Sequence, residues 1–138
     1  MISEQVRKAL MKFINGEVLF DKPMKNHTSL RIGGPADALV IPKDENDLKN
    51  LLKFAKKNGI TLTVIGNGTK LLVGDKGIDE IVVKISGCFD NVIISGPKVK
   101  VGAGCLLTNL SKLVADHGLT GLEFAVGIPG TVAGGVVM

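Results

Sequence analysis

The residues of this chain best suited to ligand chemistry lie in a short loop with two glycines, residues 66–70 (Gly-Asn-Gly-Thr-Lys). Val64 and Ile65 before the loop and the apolar residues 71–73 after it predict a strand on each side. Glycine has no Cβ, so successive backbone N–H groups can point toward one spot and a bulky anion can approach them closely. The loop therefore suggests a phosphate-bearing ligand. An ordinary tight turn explains the same residues, because Gly and Asn also favour turns for conformational reasons alone.

Two common nucleotide-binding motifs do not fit the glycines of this chain. The dinucleotide fingerprint G-x-G-x-x-G needs a third Gly for close packing of helix on strand, but Leu71 stands there. Gly102-Ala-Gly104 fails in the same way at Leu107. The P-loop needs G-x-x-x-x-G-K-[ST], which the residues around Lys70 do not provide. A second glycine-rich segment spans residues 121–138 and could let backbone lie flat against a large ligand.

A helix and a βαβ unit are the elements that must position the first loop. Apolar residues recur at helical spacing over residues 6–14, behind Ser3 as N-cap. Residues 36–41 suit a strand, and Asp44 caps a helix that ends at residues 58–59 (Asn-Gly). The strand that follows leads into the glycine loop, which predicts a right-handed parallel crossover.

From residue 78 onward the sequence predicts a sheet followed by a helix. Residues 81, 83 and 85 alternate on one face, and Gly96-Pro97 supplies a turn between two further short strands, which predicts a hairpin. Apolar residues at helical spacing over 106–114 predict a helix that ends at His117, interpreted as a C-terminal capping residue.

Composition places the chain among ordinary globular proteins. Hydrophobic residues make up 45% and charged residues 22% of the 138 positions, which argues against disorder. No apolar run approaches the ~18 residues that a membrane span needs. The charged opening residues do not fit a signal peptide. A cytoplasmic location without a membrane partner is expected.

Cysteine usage and charge exclude two further classes of protein. Cys88 and Cys105 do not form a C-x-x-C pair, so no metal site is expected and both are interpreted as reduced structural thiols. Of the 17 basic residues only Arg7 and Arg31 are arginines, and Trp and Tyr are absent. Since nucleic-acid surfaces favour clustered Arg and stacking aromatics, no nucleic-acid partner is expected. The lysines are interpreted as a solvated surface with a local attraction for an anionic ligand.

Four motifs in order carry a resemblance to a known family. They are residues 26–34 (Asn-His-Thr-Ser-Leu-Arg-Ile-Gly-Gly), 64–73 (Val-Ile-Gly-Asn-Gly-Thr-Lys-Leu-Leu-Val), 101–104 (Val-Gly-Ala-Gly) and 121–132 (Gly-Leu-Glu-Phe-Ala-Val-Gly-Ile-Pro-Gly-Thr-Val). Together they resemble the UDP-N-acetylenolpyruvoylglucosamine reductases, the flavoenzymes that complete UDP-N-acetylmuramate for bacterial wall synthesis. The resemblance extends from residue 26 to residue 138.

This resemblance implies an α+β fold, the two-lobed FAD-binding fold of the vanillyl-alcohol oxidase (PCMH) type, truncated before the substrate domain. Residues 1–75 would form the first lobe, and residues 76–138 would begin the second with the sheet near Ile78. FAD is the implied cofactor. NADPH would be the hydride donor of the parent enzyme, and a UDP-sugar substrate would bind only to the full-length protein.

The resemblance also assigns residues to the two sides of FAD. The pyrophosphate loop would consist of Val64, Ile65, Gly66, Asn67, Gly68, Thr69, Lys70 and Leu71. The segment that lines the flavin would consist of Gly127, Ile128, Pro129, Gly130, Thr131, Gly134 and Gly135. Lys70 stands where the family usually has Asn, Ala133 where it has Gly and Val137 where it has an aromatic residue. Lys70 would either add a cation beside the pyrophosphate or project into solvent, and of the two we favour solvent.

In the family a hydride passes from NADPH to flavin N5 and then to the enolpyruvyl double bond, aided by a Ser general acid and by an Arg and a Glu that stabilise the enol. The matching motifs would lie beyond Met138, so no catalytic residue is expected in this chain and the chain alone is expected to be inactive. Arg31 and Glu123 are interpreted as structural, Arg31 as a brace before Gly33 and Glu123 as an acceptor of backbone N–H groups. The alternative is a non-catalytic nucleotide- or flavin-binding module.

Overall fold

A computed structural model of the chain describes residues 1–85, 87 and 89–138. The chain divides into two compact units, Met1–Ile85 and Ser86–Met138.

The first unit opens with helix α1 (Glu4–Phe13). The Ser3 hydroxyl accepts a hydrogen bond from Val6 N at 3.3 Å, which satisfies one of the free N–H groups at the helix start. Leu10 is fully buried on the inner side of the helix. The predicted amphipathic helix and its Ser3 cap are confirmed.

The main sheet of this unit has four strands, which in chain order are β1 (Glu17–Pro23), β2 (Pro35–Ile41), β3 (Leu62–Ile65) and β4 (Ile78–Lys84). Their order across the sheet is β1-β2-β4-β3. Strand β1 runs antiparallel to β2, whereas β2 and β3 both run parallel to β4. The sheet is therefore mixed, with β1 and β3 at its edges.

Helix α2 (Glu45–Asn58) connects β2 to β3. The Asp44 carboxylate accepts hydrogen bonds from the backbone N–H groups of Asn46 and Asp47, each at 2.9 Å. Gly59 ends the helix in the left-handed region with a φ of +63°. The predicted helix and both of its end signals are confirmed.

Strand β4 departs from the prediction in two ways. It lies between β2 and β3, so the two strands joined by α2 are parallel but are not neighbours. Its residues Ile81, Val82 and Val83 are all fully buried, rather than alternating between core and solvent. A central strand that is covered on both faces has this continuous apolar pattern. The strand from Ile78 thus belongs to the four-stranded sheet, and the first compact unit runs to Ile85.

The structure also differs from the prediction in the residues after the glycine loop. Residues 66–77 form turns, bends and irregular backbone. The prediction of a strand at residues 71–73 is therefore wrong. Val73 is nonetheless buried, in a cluster with Met24, Ala36, Leu39, Ile65 and Val82. Val73 and Leu71 thus pack in the core without pairing in the sheet, whereas Leu72 is exposed.

The second unit contains a two-stranded hairpin and two helices. Strands β5 (Val92–Ser95) and β6 (Lys98–Val101) pair antiparallel, and Gly96 in the connecting turn has a φ of +57°. Helix α3 (Leu107–Asp116) follows, and His117 Nδ1 lies 2.8 Å from Leu113 O at its end. The predicted hairpin and helix are confirmed. A short helix α4 (Val132–Val137) ends the unit.

Candidate functional site

The glycine loop after β3 is held against a second loop of the same unit, which precedes β2. Gly68 O accepts a hydrogen bond from Ser29 N at 3.1 Å. Gly68 has a φ of +68°, and a Cβ built there would lie 2.1 Å from His27 O. Since no real Cβ approaches a backbone oxygen so closely, glycine at this position is required by the fold itself.

The two loops meet again a few residues further on. Gly34 N donates to Gly74 O at 3.0 Å, and a Cβ on Gly34 would lie 2.1 Å from Asp75 O. A Cβ on Gly77 would lie 1.8 Å from Pro35 O. The segments 24–35 and 66–77 therefore pack backbone against backbone. This packing was not predicted from the sequence, although the glycines at positions 34 and 77 are the residues that indicate it.

The residues assigned to the pyrophosphate loop differ in their accessibility. Asn67 and Lys70 are exposed, whereas Gly66, Thr69 and Leu71 are half-buried. Ile65 and Gly68 are buried, and Val64 is exposed. A ligand could thus reach the backbone at positions 66–67 and the side chains of Asn67 and Lys70, while Ile65 and Gly68 support the loop from within.

The residues assigned to the flavin lie in the second unit: residues 127–131 precede α4, and Gly134 and Gly135 lie within it. Gly127, Ile128 and Pro129 form an exposed loop after a short 3₁₀ turn, Glu123–Ala125. Gly130 has a φ of +136°, and its carbonyl accepts from Leu107 N at 3.0 Å. The loop is consequently exposed at its tip and fixed at its end.

Thr131 and the residues after it are tied to residues 103–105. Thr131 is 2% exposed, and its hydroxyl accepts from Gly134 N at 3.2 Å as the cap of α4. Val132 N donates to Cys105 O at 2.8 Å, and Ala133 N donates to Ala103 O at 3.1 Å. A Cβ on Gly135 would lie 2.9 Å from Leu107 Cδ1. The Gly102-Ala-Gly104 motif thus supports the segment assigned to the flavin.

The structure places the two assigned segments in separate units, and each carries an exposed loop on a fixed base. Glu123, expected to accept backbone N–H groups, does so from Gly121 N at 2.9 and 3.1 Å. Arg31 has a backbone φ of +53°, and its exposed side chain lines two open clefts. Its predicted bracing role stays a prediction.

Two titratable side chains near the assigned segments have shifted pKa values. Burial lowers the pKa of His27, and the nearby Lys84 ammonium lowers it further. Burial raises the pKa of the Cys105 thiol, helped by the Asp90 carboxylate, so this thiol stays protonated and unreactive at neutral pH. Cys88 lies outside the described residues. Within the described ranges, no group of three or more metal-ligating side chains comes together.

Comparison with known proteins assigns this arrangement to a family. The model described as an FAD binding domain matches residues 36–138. This chain belongs to the FAD binding domain family. FAD is accordingly its cofactor, as predicted.

Proteins with known names are similar to the chain in sequence and fold. The UDP-N-acetylenolpyruvoylglucosamine reductase of Bacillus licheniformis is 45% identical over 135 residues, which is 98% of this chain and 45% of that protein. The crystal structure of the corresponding reductase from Thermus caldophilus has 35% identity and a TM-score of 0.69, over 90% of this chain and 42% of that one. The predicted resemblance is confirmed. The chain spans less than half the length of the relatives it matches.

A more distant structure shows the same fold. The 6-hydroxy-D-nicotine oxidase of Arthrobacter nicotinovorans has 19% identity and a TM-score of 0.55, over 76% of this chain and 24% of that one. The predicted α+β FAD-binding fold class is confirmed. No helix among the described residues has the length and apolar character needed to cross a membrane.

Proposed function

We propose that this chain is the FAD-binding part of a reductase that converts UDP-N-acetylenolpyruvoylglucosamine to UDP-N-acetylmuramate in peptidoglycan synthesis. The observation that carries the proposal is the 45% identity to such a reductase over 98% of the chain. The parent enzyme would act in the cytoplasm, with NADPH as electron donor and the UDP-sugar as substrate.

Residues 64–71 hold the pyrophosphate of FAD in this proposal. Support comes from the exposure of Asn67 and Lys70 and from the rigid base that Gly68 provides beneath them. Backbone N–H groups at such a turn and the Lys70 ammonium suit a doubly charged pyrophosphate, and each charge-assisted hydrogen bond contributes roughly 1.5 to 3 kcal/mol before ordering costs.

Residues 127–131, 134 and 135 line the flavin in this proposal. Support comes from the exposed backbone of Gly127 and from the fixed positions of Gly130 and Thr131. FAD, when bound, would supply hydride transfer, and the residues of this chain would bind and orient it. No side chain of residues 1–138 is assigned a catalytic role, so residues 1–138 alone bind FAD without turnover.

A chimeric enzyme tests this proposal. Residues 1–138 would be joined to the remaining part of the Bacillus licheniformis reductase, and flavin absorbance would first verify FAD loading. The chimera should oxidise NADPH in the presence of UDP-N-acetylenolpyruvoylglucosamine, whereas residues 1–138 alone should not. An FAD-loaded chimera without activity would favour the alternative of a binding module. Turnover by residues 1–138 alone would contradict the assignment of binding without catalysis.

A further inference from the structure

Two adjoining clefts open on the first unit, and both are lined by Lys25 and Arg31. The second cleft is completed by Asn26 and Thr28. Its lining therefore offers an ammonium, a guanidinium and an amide, all of which can donate hydrogen bonds. The first cleft also includes Asp75, whose carboxylate disfavours an anion there. The second cleft is the one whose chemistry suits an anion.

Arg31 is held in an unusual backbone conformation at this cleft. Its φ of +53° lies in the left-handed region, which side chains other than Gly, Asn and Asp rarely adopt. Arg31 N donates to Thr28 O at 3.2 Å, and the Thr28 hydroxyl donates to Ile32 O at 3.1 Å. Thr28 is 7% exposed, so a buried residue fixes both flanks of Arg31. Strain of this kind is characteristic of residues kept for function.

Neither cation of the cleft forms an ion pair within the part of the chain that the structure describes. Among the described residues, the ion pairs of this unit join Met1 to Asp37, Arg7 to Asp21 and Lys49 to Glu45, and none includes Lys25 or Arg31. Both side chains are exposed. Two unpaired cations in one cleft repel each other, and an anion between them would relieve that repulsion.

The cleft is attached directly to the glycine loop. Ser29, which lies between the lining residues Thr28 and Arg31, donates its N–H to Gly68 O at 3.1 Å. The contact at Gly68 leaves no room for a Cβ, so the cleft and the loop keep a fixed relation within this unit. An anion held at the glycine loop therefore has this cationic cleft beside it.

We propose that Lys25 and Arg31 form an anion site that binds a phosphate group of the cofactor carried by the glycine loop. The proposal rests on the proposed role of that loop and extends it to a segment 35 or more positions earlier in the chain. Arg31 supplies the guanidinium that can contact a phosphate bidentately, and Lys25 supplies a second charge. Thr28 acts as a positioning residue through the backbone of Arg31.

Replacement of Arg31 by Gly separates binding from folding. Glycine accepts a φ of +53° without strain, so the melting temperature of Arg31→Gly should equal or exceed that of the unsubstituted chain. Its FAD dissociation constant, measured by flavin fluorescence, should rise at least about fivefold, since a hydrogen bond to a charged group contributes roughly 1.5 to 3 kcal/mol. The salt dependence of FAD binding should become shallower, as expected when one phosphate contact is removed. Lys53→Gln, which removes an exposed charge from α2, is the control and should change none of these three quantities.

Inorganic pyrophosphate tests the cleft directly by NMR titration. The amide signals of Lys25, Arg31 and Gly68 should shift with pyrophosphate in the unsubstituted chain, and Arg31→Gly should abolish the shift at Lys25. Equal FAD affinity and equal salt dependence in Arg31→Gly and the unsubstituted chain would overturn this inference and leave the proposed function standing. Failure of the unsubstituted chain to bind either FAD or pyrophosphate would contradict both proposals.

Discussion

At the scale of single residues, Asp47 carries the most hydrogen bonds of any buried charge described in the first unit. Its carboxylate is fully buried and accepts from Asn15 N, Gly16 N and Lys43 N at 2.8 to 3.1 Å, and from Asn15 Nδ2 at 2.9 Å. Burial alone would raise the pKa of Asp47, but these hydrogen bonds outweigh burial and hold the pKa below its ordinary value. One carboxylate thus joins the end of α1 to the start of α2.

Replacement of Asp47 by Asn should lower the free energy of unfolding by about 3 kcal/mol, because the amide turns one acceptor into a donor and leaves buried N–H groups unpaired. Urea unfolding at pH 7 measures this change. Asp79→Asn alters an exposed carboxylate of β4 and should shift the midpoint little. A small effect in both variants would mean that the hydrogen bonds at Asp47 do not stabilise the fold.

His27 should make stability depend on pH. Its lowered pKa means that the folded state favours the neutral imidazole more than the unfolded state does. Its contribution is therefore complete above the unfolded pKa of about 6.5 and is lost as the pH falls from there toward the folded pKa. Melting temperatures at pH 7.5 and pH 5.5 should differ less in His27→Gln than in the unsubstituted chain. An NMR titration that gives His27 a pKa above about 6.5 would rule this out.

At the scale of elements, the packing of segment 24–35 against segment 66–77 is the feature on which the candidate site depends. Three glycines, Gly34, Gly68 and Gly77, allow backbone atoms to meet where a Cβ would overlap them. Apart from a short 3₁₀ turn at Met24–Asn26, neither segment forms a helix or a long strand. Their shape comes from this mutual contact and from Met24 and Val73 in the shared core.

A pair of Gly→Ala variants isolates this packing. Gly68 and Gly59 have nearly the same φ, +68° and +63°, but a Cβ meets His27 O only at Gly68, while nothing lies within 4 Å at Gly59. Gly59→Ala should cost about 1 kcal/mol of stability through backbone strain alone. Gly68→Ala should cost at least about twice that and should broaden the amide signals of residues 26–34, because a clash adds to the strain. Equal costs in urea unfolding would show that the two loops can separate freely.

The sequence predicted those elements whose signals are local. Ser3 and Asp44 identified helix starts, and Gly96-Pro97 identified the hairpin, because caps and turns depend on a few neighbouring residues. The place of β4 between β2 and β3 depends on pairing between distant segments, which local periodicity does not encode. For the same reason the partner of Gly68 could not be read from the loop itself. Its glycines pointed equally to a turn and to a ligand, and the structure shows at Gly68 a contact within the fold.

At the scale of the whole molecule, the chain is an FAD binding domain with two compact units, each of which carries one of the assigned FAD segments. The motif resemblance assigned both segments to FAD, since short glycine motifs in fixed order can be recognised in a sequence. Their exposed tips and fixed bases became visible only in the structure. Residues 66–71 rest on segment 24–35, and residues 127–135 rest on residues 103–107.

The most direct test of this account is an NMR map of FAD binding to residues 1–138. Amide signals would be followed while FAD is added to the flavin-free protein. The signals that shift most should belong to residues 66–71 in the first unit and to residues 127–131, 134 and 135 in the second. FAD binding that leaves both segments unshifted, or that shifts only residues elsewhere, would contradict this account.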